Sequence, residues 1–121
     1  DKSVSRGLGD VYKRQVQGLA DRLSVALGRS PLVIGEGDVT SVAWCTGAGQ
    51  GYIDLAADAG ADVYVTGEVS EQTAHVALER GIAFIGAGHH ATERYGVQAV
   101  GSLAAEVLGL SHEFIDIDNP A

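Results

Sequence analysis

Downstream of residue 15, apolar residues occur with helix-like spacing in some segments and as short strand-like runs in others. Leu19, Leu23 and Leu27 fall on one helical stripe, and Gly28 follows as a typical helix stop, so the pattern predicts a helix over 17–27. After a short apolar run at 32–34, strand-like and helix-like stretches alternate with short connections. The predicted strands are 39–45, 61–66, 82–87 and 113–117, and the predicted helices between them are 52–59, 70–80 and 90–108.

The order βαβαβαβ predicts an α/β fold with a mostly parallel sheet and helices on both faces. Short apolar strands such as 83–85 lack polar alternation, which is typical of parallel strands covered on both sides. Sites in such sheets lie beyond the carboxyl ends of the strands. The loops 46–51, 66–68 and 86–90 leave those ends, and we expect them to line one rim.

A candidate metal pair follows the predicted strand 82–87. His89 and Glu93 lie four residues apart at the start of a predicted helix, so their Cβ atoms share one face at roughly 6 Å. An imidazole nitrogen and a carboxylate oxygen at this spacing can converge on one cation. The same two side chains can equally form a solvated pair at a helix start.

A rival stripe lies on the predicted helix 70–80. Glu71, His75 and Glu79 follow each other at four-residue intervals. Such a stripe is more typical of a solvated face, in which carboxylates favour protonated histidine. Its distance from a strand end also argues against a catalytic role.

Four further features have plainer explanations. The loop 46–51 could let an anion approach a helix N-terminus, but it lacks the Lys-Ser/Thr ending of a P-loop, so a tight turn is favoured. Cys45 has no cationic neighbour in sequence that would activate its thiol, which favours a packing role. His112 has no ligand spacing around it, and Asp116 is expected on a wet strand edge.

Composition and charge narrow the function classes. A chain of 121 residues with 45% hydrophobic content fits one modest domain. The net charge of −8 argues against a broad surface for nucleic acid, which requires clustered Lys and Arg. No apolar stretch is long enough to cross a bilayer, and a lone cysteine agrees with a reducing compartment, so a cytoplasmic protein without membrane contact is expected.

The first fifteen residues differ in composition from everything after them. Residues 1–15 hold four basic and two acidic side chains, whereas 16–121 hold four basic and fourteen acidic ones. No lysine follows Lys13, and residues 4–15 resemble a translated sequencing adapter. We therefore expect 1–15 to be a foreign or disordered leader and 16–121 to be the folded segment.

Four motifs in this order resemble one known family. They are Val-Ala-Trp-Cys-Thr-Gly at 42–47, Val-Thr-Gly-Glu-Val-Ser-Glu-Gln at 65–72, Gly-His-His-Ala-Thr-Glu-Arg at 88–94, and Phe-Ile-Asp-Ile-Asp-Asn-Pro-Ala at 114–121. Together they resemble the C-terminal half of the NIF-three-like family (NGG-one-interacting factor three homologues). Its members are often labelled GTP cyclohydrolase 1 type 2 homologues, and the short bacterial form is the most similar.

The resemblance implies an α/β fold, a centre of two divalent metal ions and a hexameric toroid of identical chains. It implies that His89 and Glu93 are metal ligands and that the other ligands belong to an N-terminal half. Zn, Mn, Fe or Co would suit a set of imidazole and carboxylate ligands. The expected parent is a metal-dependent hydrolase acting on a small-molecule substrate. Glu68 is expected to be a carboxylate on the rim or one that supports a metal ligand without binding the metal itself. This fragment is expected to be inactive. The alternative is a metal-stabilised oligomeric regulatory or binding protein without catalysis.

Overall fold

A computed structural model describes residues 14–121 of the chain. The predicted leader over 1–15 therefore lies outside the described residues, apart from Arg14 and Gln15. Gln15 forms an isolated antiparallel bridge with Asp38, and the Val16 N–H donates to the carbonyl of Gly37 at 3.0 Å.

Residues 14–121 form five helical segments and four strands. In chain order they are α1 (Val16–Leu27), β1 (Leu32–Ile34), β2 (Val42–Cys45), a 3₁₀ turn (Gln50–Tyr52), α2 (Ile53–Asp58), β3 (Val63–Thr66), α3 (Glu71–Arg80), β4 (Ala83–Gly86) and α4 (His89–Leu108). None of the helices within 14–121 is long and apolar enough to cross a membrane.

The four strands form one sheet in the order β1-β4-β3-β2. Strands β2, β3 and β4 are parallel, because α2 and α3 return the chain across the sheet each time. Strand β1 pairs antiparallel with β4, with Val33 opposite Ile85. The predicted α/β fold with a mostly parallel sheet is confirmed.

The central strands are buried along their whole length, as their unbroken apolar runs predict. On one face, α1 packs Val16 and Ala20 against a cluster that includes Val63 and Ile85. On the other face, α2 and α3 cover Tyr64 and Phe84, whose ring centroids are 6.1 Å apart. The core therefore fixes the carboxyl ends of β3 and β4, where the candidate residues begin.

Local signals explain most element ends. Gly28 ends α1 in the left-handed conformation, at φ 72°, and the Ser70 hydroxyl caps α3 by accepting from the Thr73 N–H at 3.2 Å. Strand β2 begins three residues later than predicted, because the N–H and hydroxyl groups of Thr40 and Ser41 are turned onto one carboxylate oxygen of Asp62.

The predicted strand over 113–117 is wrong. The segment pairs with no strand in the described part of the chain, and Ile115 and Ile117 are 74% and 73% exposed. It crosses the start of α4, where Asp116 contacts His90 Nε2 at 2.9 Å and Arg94 Nη1 at 3.3 Å. The expected position of Asp116 on a solvated strand edge is therefore also wrong. Alternating Ile and Asp give a strand period, but a strand also requires a neighbouring edge, and this segment meets a helix instead.

Candidate functional site

The three loops at the strand ends meet through glycine backbone groups. The Gly67 N–H donates to the Gly47 carbonyl at 2.9 Å, and the Gly88 N–H donates to the Gly67 carbonyl at 3.0 Å. A Cβ atom at Gly67 would overlap the Gly47 carbonyl oxygen, so only glycine allows this approach. The prediction that loops 46–51, 66–68 and 86–90 line one rim is confirmed.

His89 lies between two carboxylates on this rim. Its Nδ1 is 2.6 Å from Glu68 Oε1, and its Nε2 is 2.9 Å from Glu93 Oε2. His89 is the first residue of α4, and Glu93 lies one turn further along the same face. The structure thus brings the predicted pair together and adds Glu68 on the far side of the ring, while a metal role remains a prediction.

The two carboxylates raise the pKa of His89. The hydrogen bond to Glu68 is the larger cause and the hydrogen bond to Glu93 the second. Each carboxylate only accepts, so the ring satisfies both when it is protonated and donates from both nitrogens. A divalent cation at Nε2 would replace the second proton and keep the Nδ1–H bond to Glu68.

The described residues offer two candidate ligands for one cation, His89 and Glu93. Glu68 and Glu93 approach opposite ring nitrogens, and residues 14–121 contain no group of three or more His, Cys, Asp or Glu side chains that could hold a metal ion. A Cβ atom at Gly47 would overlap the Glu93 carboxylate and lie 3.2 Å from His89 Nε2. Gly47, at φ 68°, therefore makes room for the pair.

Thr92 fixes the loop against α4, a role that sequence reasoning missed. Its hydroxyl accepts from the Gly47 N–H at 3.0 Å and donates to the Gly88 carbonyl at 2.9 Å. The spacing from Gly88 to Thr92 is one helical turn, so the second contact was readable from sequence. The first contact joins Gly47 and Thr92, which are 45 positions apart, so the sequence contained no sign of it.

The 46–51 loop is a tight turn whose polar groups are used internally. The Gly49 N–H donates to Thr66 Oγ1 at 3.1 Å, and the Gly49 carbonyl accepts from the Tyr64 hydroxyl at 2.6 Å. Both hydroxyls are on β3 and buried, and burial raises the pKa of Tyr64. The predicted tight turn is confirmed, and Gly49 bonds to β3 through both of its backbone groups.

Gln50 is a second residue that sequence reasoning missed. Its amide Nε2 lies 3.4 Å from Glu68 Oε2, on the carboxylate that also binds His89. Its Oε1 is buried and has no hydrogen-bond partner within 14–121. No pattern in the sequence links positions 50 and 68.

The other candidates lie apart from this group. His75 Nε2 is 3.7 Å from Glu71 Oε1 on an exposed face of α3, and Glu79 is also exposed. Cys45 is half-buried, with its Sγ 3.7 Å from the Thr46 carbonyl. The His112 ring lies against Gly101, where a Cβ atom would overlap it.

A cavity of about 600 Å³ opens beside His89 and Glu93. The first turns of α4 form its polar wall, and the segment 114–121 forms the opposite, largely apolar wall through Phe114, Ile115 and Ile117. A cation held by the pair would therefore face a space large enough for a small molecule.

Comparisons with known proteins show which family the chain is similar to. The family model for Duf34/NIF3 (NGG1p interacting factor 3) matches residues 6–120. A Pseudomonas aeruginosa protein described as a GTP cyclohydrolase 1 type 2 homolog is 60% identical over 97 residues, which are 79% of this chain and 38% of that protein. A Yersinia pestis protein of the same description is 55% identical over 106 residues, 85% of this chain and 43% of that protein.

Solved structures agree with this match. The protein ybgI, of unknown function, has a TM-score of 0.80 and 50% identity over 87% of this chain and 44% of its own. A Bacillus cereus protein related to NIF3 has a TM-score of 0.74 and 29% identity over 88% of this chain and 32% of its own. The chain thus spans less than half the length of the relatives it matches.

Proposed function

Because this chain belongs to the Duf34/NIF3 (NGG1p interacting factor 3) family, we propose that His89 and Glu93 are two ligands of a divalent metal centre. The remaining ligands would come from residues that the relatives have outside the segment they share with this chain. The observation that supports this most is the 2.9 Å approach of His89 Nε2 to Glu93 Oε2, with Nδ1 already bonded to Glu68.

Glu68 acts as the outer partner of the metal-binding histidine. A ligating imidazole usually donates its other N–H to a carboxylate, which fixes the tautomer and increases ligand basicity. The 2.6 Å bond from His89 Nδ1 to Glu68 has this arrangement. An imidazole and a carboxylate suit Zn, Mn, Fe or Co, and two such ions per complete site follow from the family resemblance.

We propose that the complete protein is a metal-dependent hydrolase-like enzyme with a small-molecule substrate. Bound metal ions would supply an activated water and stabilise developing negative charge. This chain contributes the two ligands, the outer carboxylate and one apolar wall of the adjacent cavity. The description of the relatives as GTP cyclohydrolase 1 type 2 homologs does not identify the substrate, and the chain alone is proposed to be inactive because it supplies half of a site.

Self-association through α4 is the second part of the proposal. Val100, Leu103 and Val107 lie on one stripe of this helix and are 68%, 60% and 71% exposed. Exposed apolar stripes of this kind mark contact surfaces. A hexameric ring, as the family resemblance implies, would bury them, and a metal-stabilised assembly without catalysis would use the same surface. Sedimentation of Leu103→Lys, compared with Leu78→Lys on α3, would show whether α4 mediates association.

Zn²⁺ titration by calorimetry tests the metal proposal. The 121-residue chain should bind Zn²⁺ weakly, because two protein ligands leave most coordination to water. His89→Ala and Glu93→Gln should each abolish the heat at this site, whereas His75→Ala should leave it unchanged. Equal binding by wild type, His89→Ala and Glu93→Gln would contradict the assignment. In a longer chain that supplies the missing ligands, hydrolytic turnover lost with these substitutions would separate the enzyme from the assembly protein.

A further inference from the structure

Gln50 is held rigidly at the edge of the His89 site. It follows Gly49, whose N–H and carbonyl are bonded to Thr66 and Tyr64 at 3.1 and 2.6 Å. Both partners are buried side chains of β3, so the backbone at position 50 has little freedom to move relative to the sheet. The same strand ends at Thr66, immediately before Gly67 and Glu68, which fixes the distance between Gln50 and Glu68.

The orientation of the Gln50 amide is set by charge. A carboxylate only accepts hydrogen bonds, so the NH₂ group must face Glu68 and the carbonyl must point away. This places Nε2 3.4 Å from Glu68 Oε2, while Glu68 Oε1 faces His89 Nδ1 at 2.6 Å. The two oxygens of one carboxylate therefore have one partner each, an amide on one side and an imidazole on the other.

The cost of this arrangement is visible at Gln50 Oε1. The atom is buried, and no donor within the described residues reaches it. Buried polar atoms are almost always hydrogen-bonded, and an exception requires an explanation beyond packing. An apolar side chain of similar length would fill the same space without an unpaired oxygen, but it would leave Glu68 Oε2 without the NH₂ group of Gln50.

We propose that Gln50 is a positioning residue for the site, holding Glu68 so that Glu68 selects the His89 tautomer with a proton on Nδ1 and a free lone pair on Nε2. This inference rests on the proposed function, because the Nε2 lone pair matters when a cation binds beside Glu93. Gln50 acts through Glu68 and does not line the cavity beside His89 and Glu93.

The tautomer of His89 can be measured on the metal-free chain. Long-range ¹H–¹⁵N spectra of ¹⁵N-histidine-labelled protein at alkaline pH, where the ring is neutral, report the share of each tautomer. Glu93 favours the Nε2–H form, but wild type should show mostly the Nδ1–H form, because the contact of Nδ1 with Glu68 is the shorter one, at 2.6 Å against 2.9 Å for Nε2 and Glu93. Gln50→Met should reduce the ratio of Nδ1–H to Nε2–H by about threefold, the effect of one modest hydrogen bond. Glu68→Gln should reduce it further.

Two variants keep the experiment decisive. Gln98→Met is the matched control, since Gln98 donates to the Arg94 carbonyl within α4 at 3.0 Å and should leave the tautomer ratio unchanged. Gln50→Asn withdraws the amide by one methylene and should shift the ratio in the same direction even if Gln50→Met folds poorly. An unchanged ratio in a folded Gln50 variant overturns the proposal. Because no metal is present, a failed Zn²⁺ titration would leave this result standing, and the converse also holds.

Discussion

Glu68 and His89 lie 21 residues apart in sequence, and their side chains meet at 2.6 Å between Oε1 and Nδ1. The contact joins the end of β3 to the start of α4. With Glu93 on the other ring nitrogen, it makes His89 the centre of a row of three side chains. The chemistry proposed for this chain depends on that row.

Replacing Glu68 by Gln should lower the pKa of His89. The hydrogen bond to Glu68 is the larger cause of the raised value. A raised pKa stabilises the fold below the unfolded value of about 6.5, and this contribution is lost as the pH rises through the folded value. NMR titration of His89 in Glu68→Gln should therefore show a midpoint below that of wild type. The same midpoint in both proteins would show that Glu68 does not control the ring.

Asp62 should protonate unusually late during acidification. Hydrogen bonds from Thr40 and Ser41 lower its pKa from 3.8 to about 2. The resulting stabilisation is complete above the unfolded value and is lost as the pH falls through about 2. Carboxyl NMR titration should show Ser41→Ala raising the Asp62 midpoint. An Asp62 midpoint near 3.8 in wild type would contradict the assigned contacts.

Gly47→Ala should be more destabilising than a glycine substitution with similar backbone geometry. Gly47 and Gly60 both have positive φ, at 68° and 78°, but only the Cβ at Gly47 would meet other atoms, those of Glu93 and His89. Gly60→Ala should cost about 1 kcal/mol of backbone strain. Gly47→Ala should cost more, by up to about 1 kcal/mol, because the Glu93 carboxylate must leave its contact with His89. Urea unfolding measures both, and equal costs would mean that Glu93 moves aside freely.

Asp116 should hold the segment 113–117 over the start of α4. It contacts His90 and Arg94, and because the Asp116 carboxylate is about half exposed, each pair is worth at most about 1 kcal/mol. Asp116→Asn should therefore increase proteolysis within this segment about two- to fivefold. Asp118→Asn, a neighbouring carboxylate change, should have no such effect. Equal cleavage of both variants and wild type would show that Asp116 does not hold the segment.

Local patterns predicted the parts of the site that depend on one element. Gly28 at the end of α1 and the helical spacing of His89 and Glu93 are properties of adjacent residues, so the sequence alone revealed them. The shared rim followed from parallel topology, because the carboxyl ends of neighbouring strands meet at one edge.

Contacts between distant residues were not predictable in this way. Glu68 could be placed on the rim, but its bond to His89 Nδ1 depends on side-chain direction at two separate loops. Gln50 contacts Glu68, 18 positions away in sequence, and Thr92 contacts Gly47, 45 positions away. The strand prediction for 113–117 failed for a related reason. Its alternating residues are typical of a strand, but the pattern does not show whether a sheet edge lies beside it.

Mn²⁺ broadening of the NMR spectrum tests the proposed metal pair most directly, because a paramagnetic ion marks its own position even when binding is weak. Substoichiometric Mn²⁺ should broaden His89 and Glu93 first, and Glu93→Gln should remove the effect. The exposed Glu71 and His75 pair on α3 has the same four-residue spacing and serves as the internal comparison. Broadening that is equal at both pairs, or unchanged in Glu93→Gln, would contradict the metal site at His89.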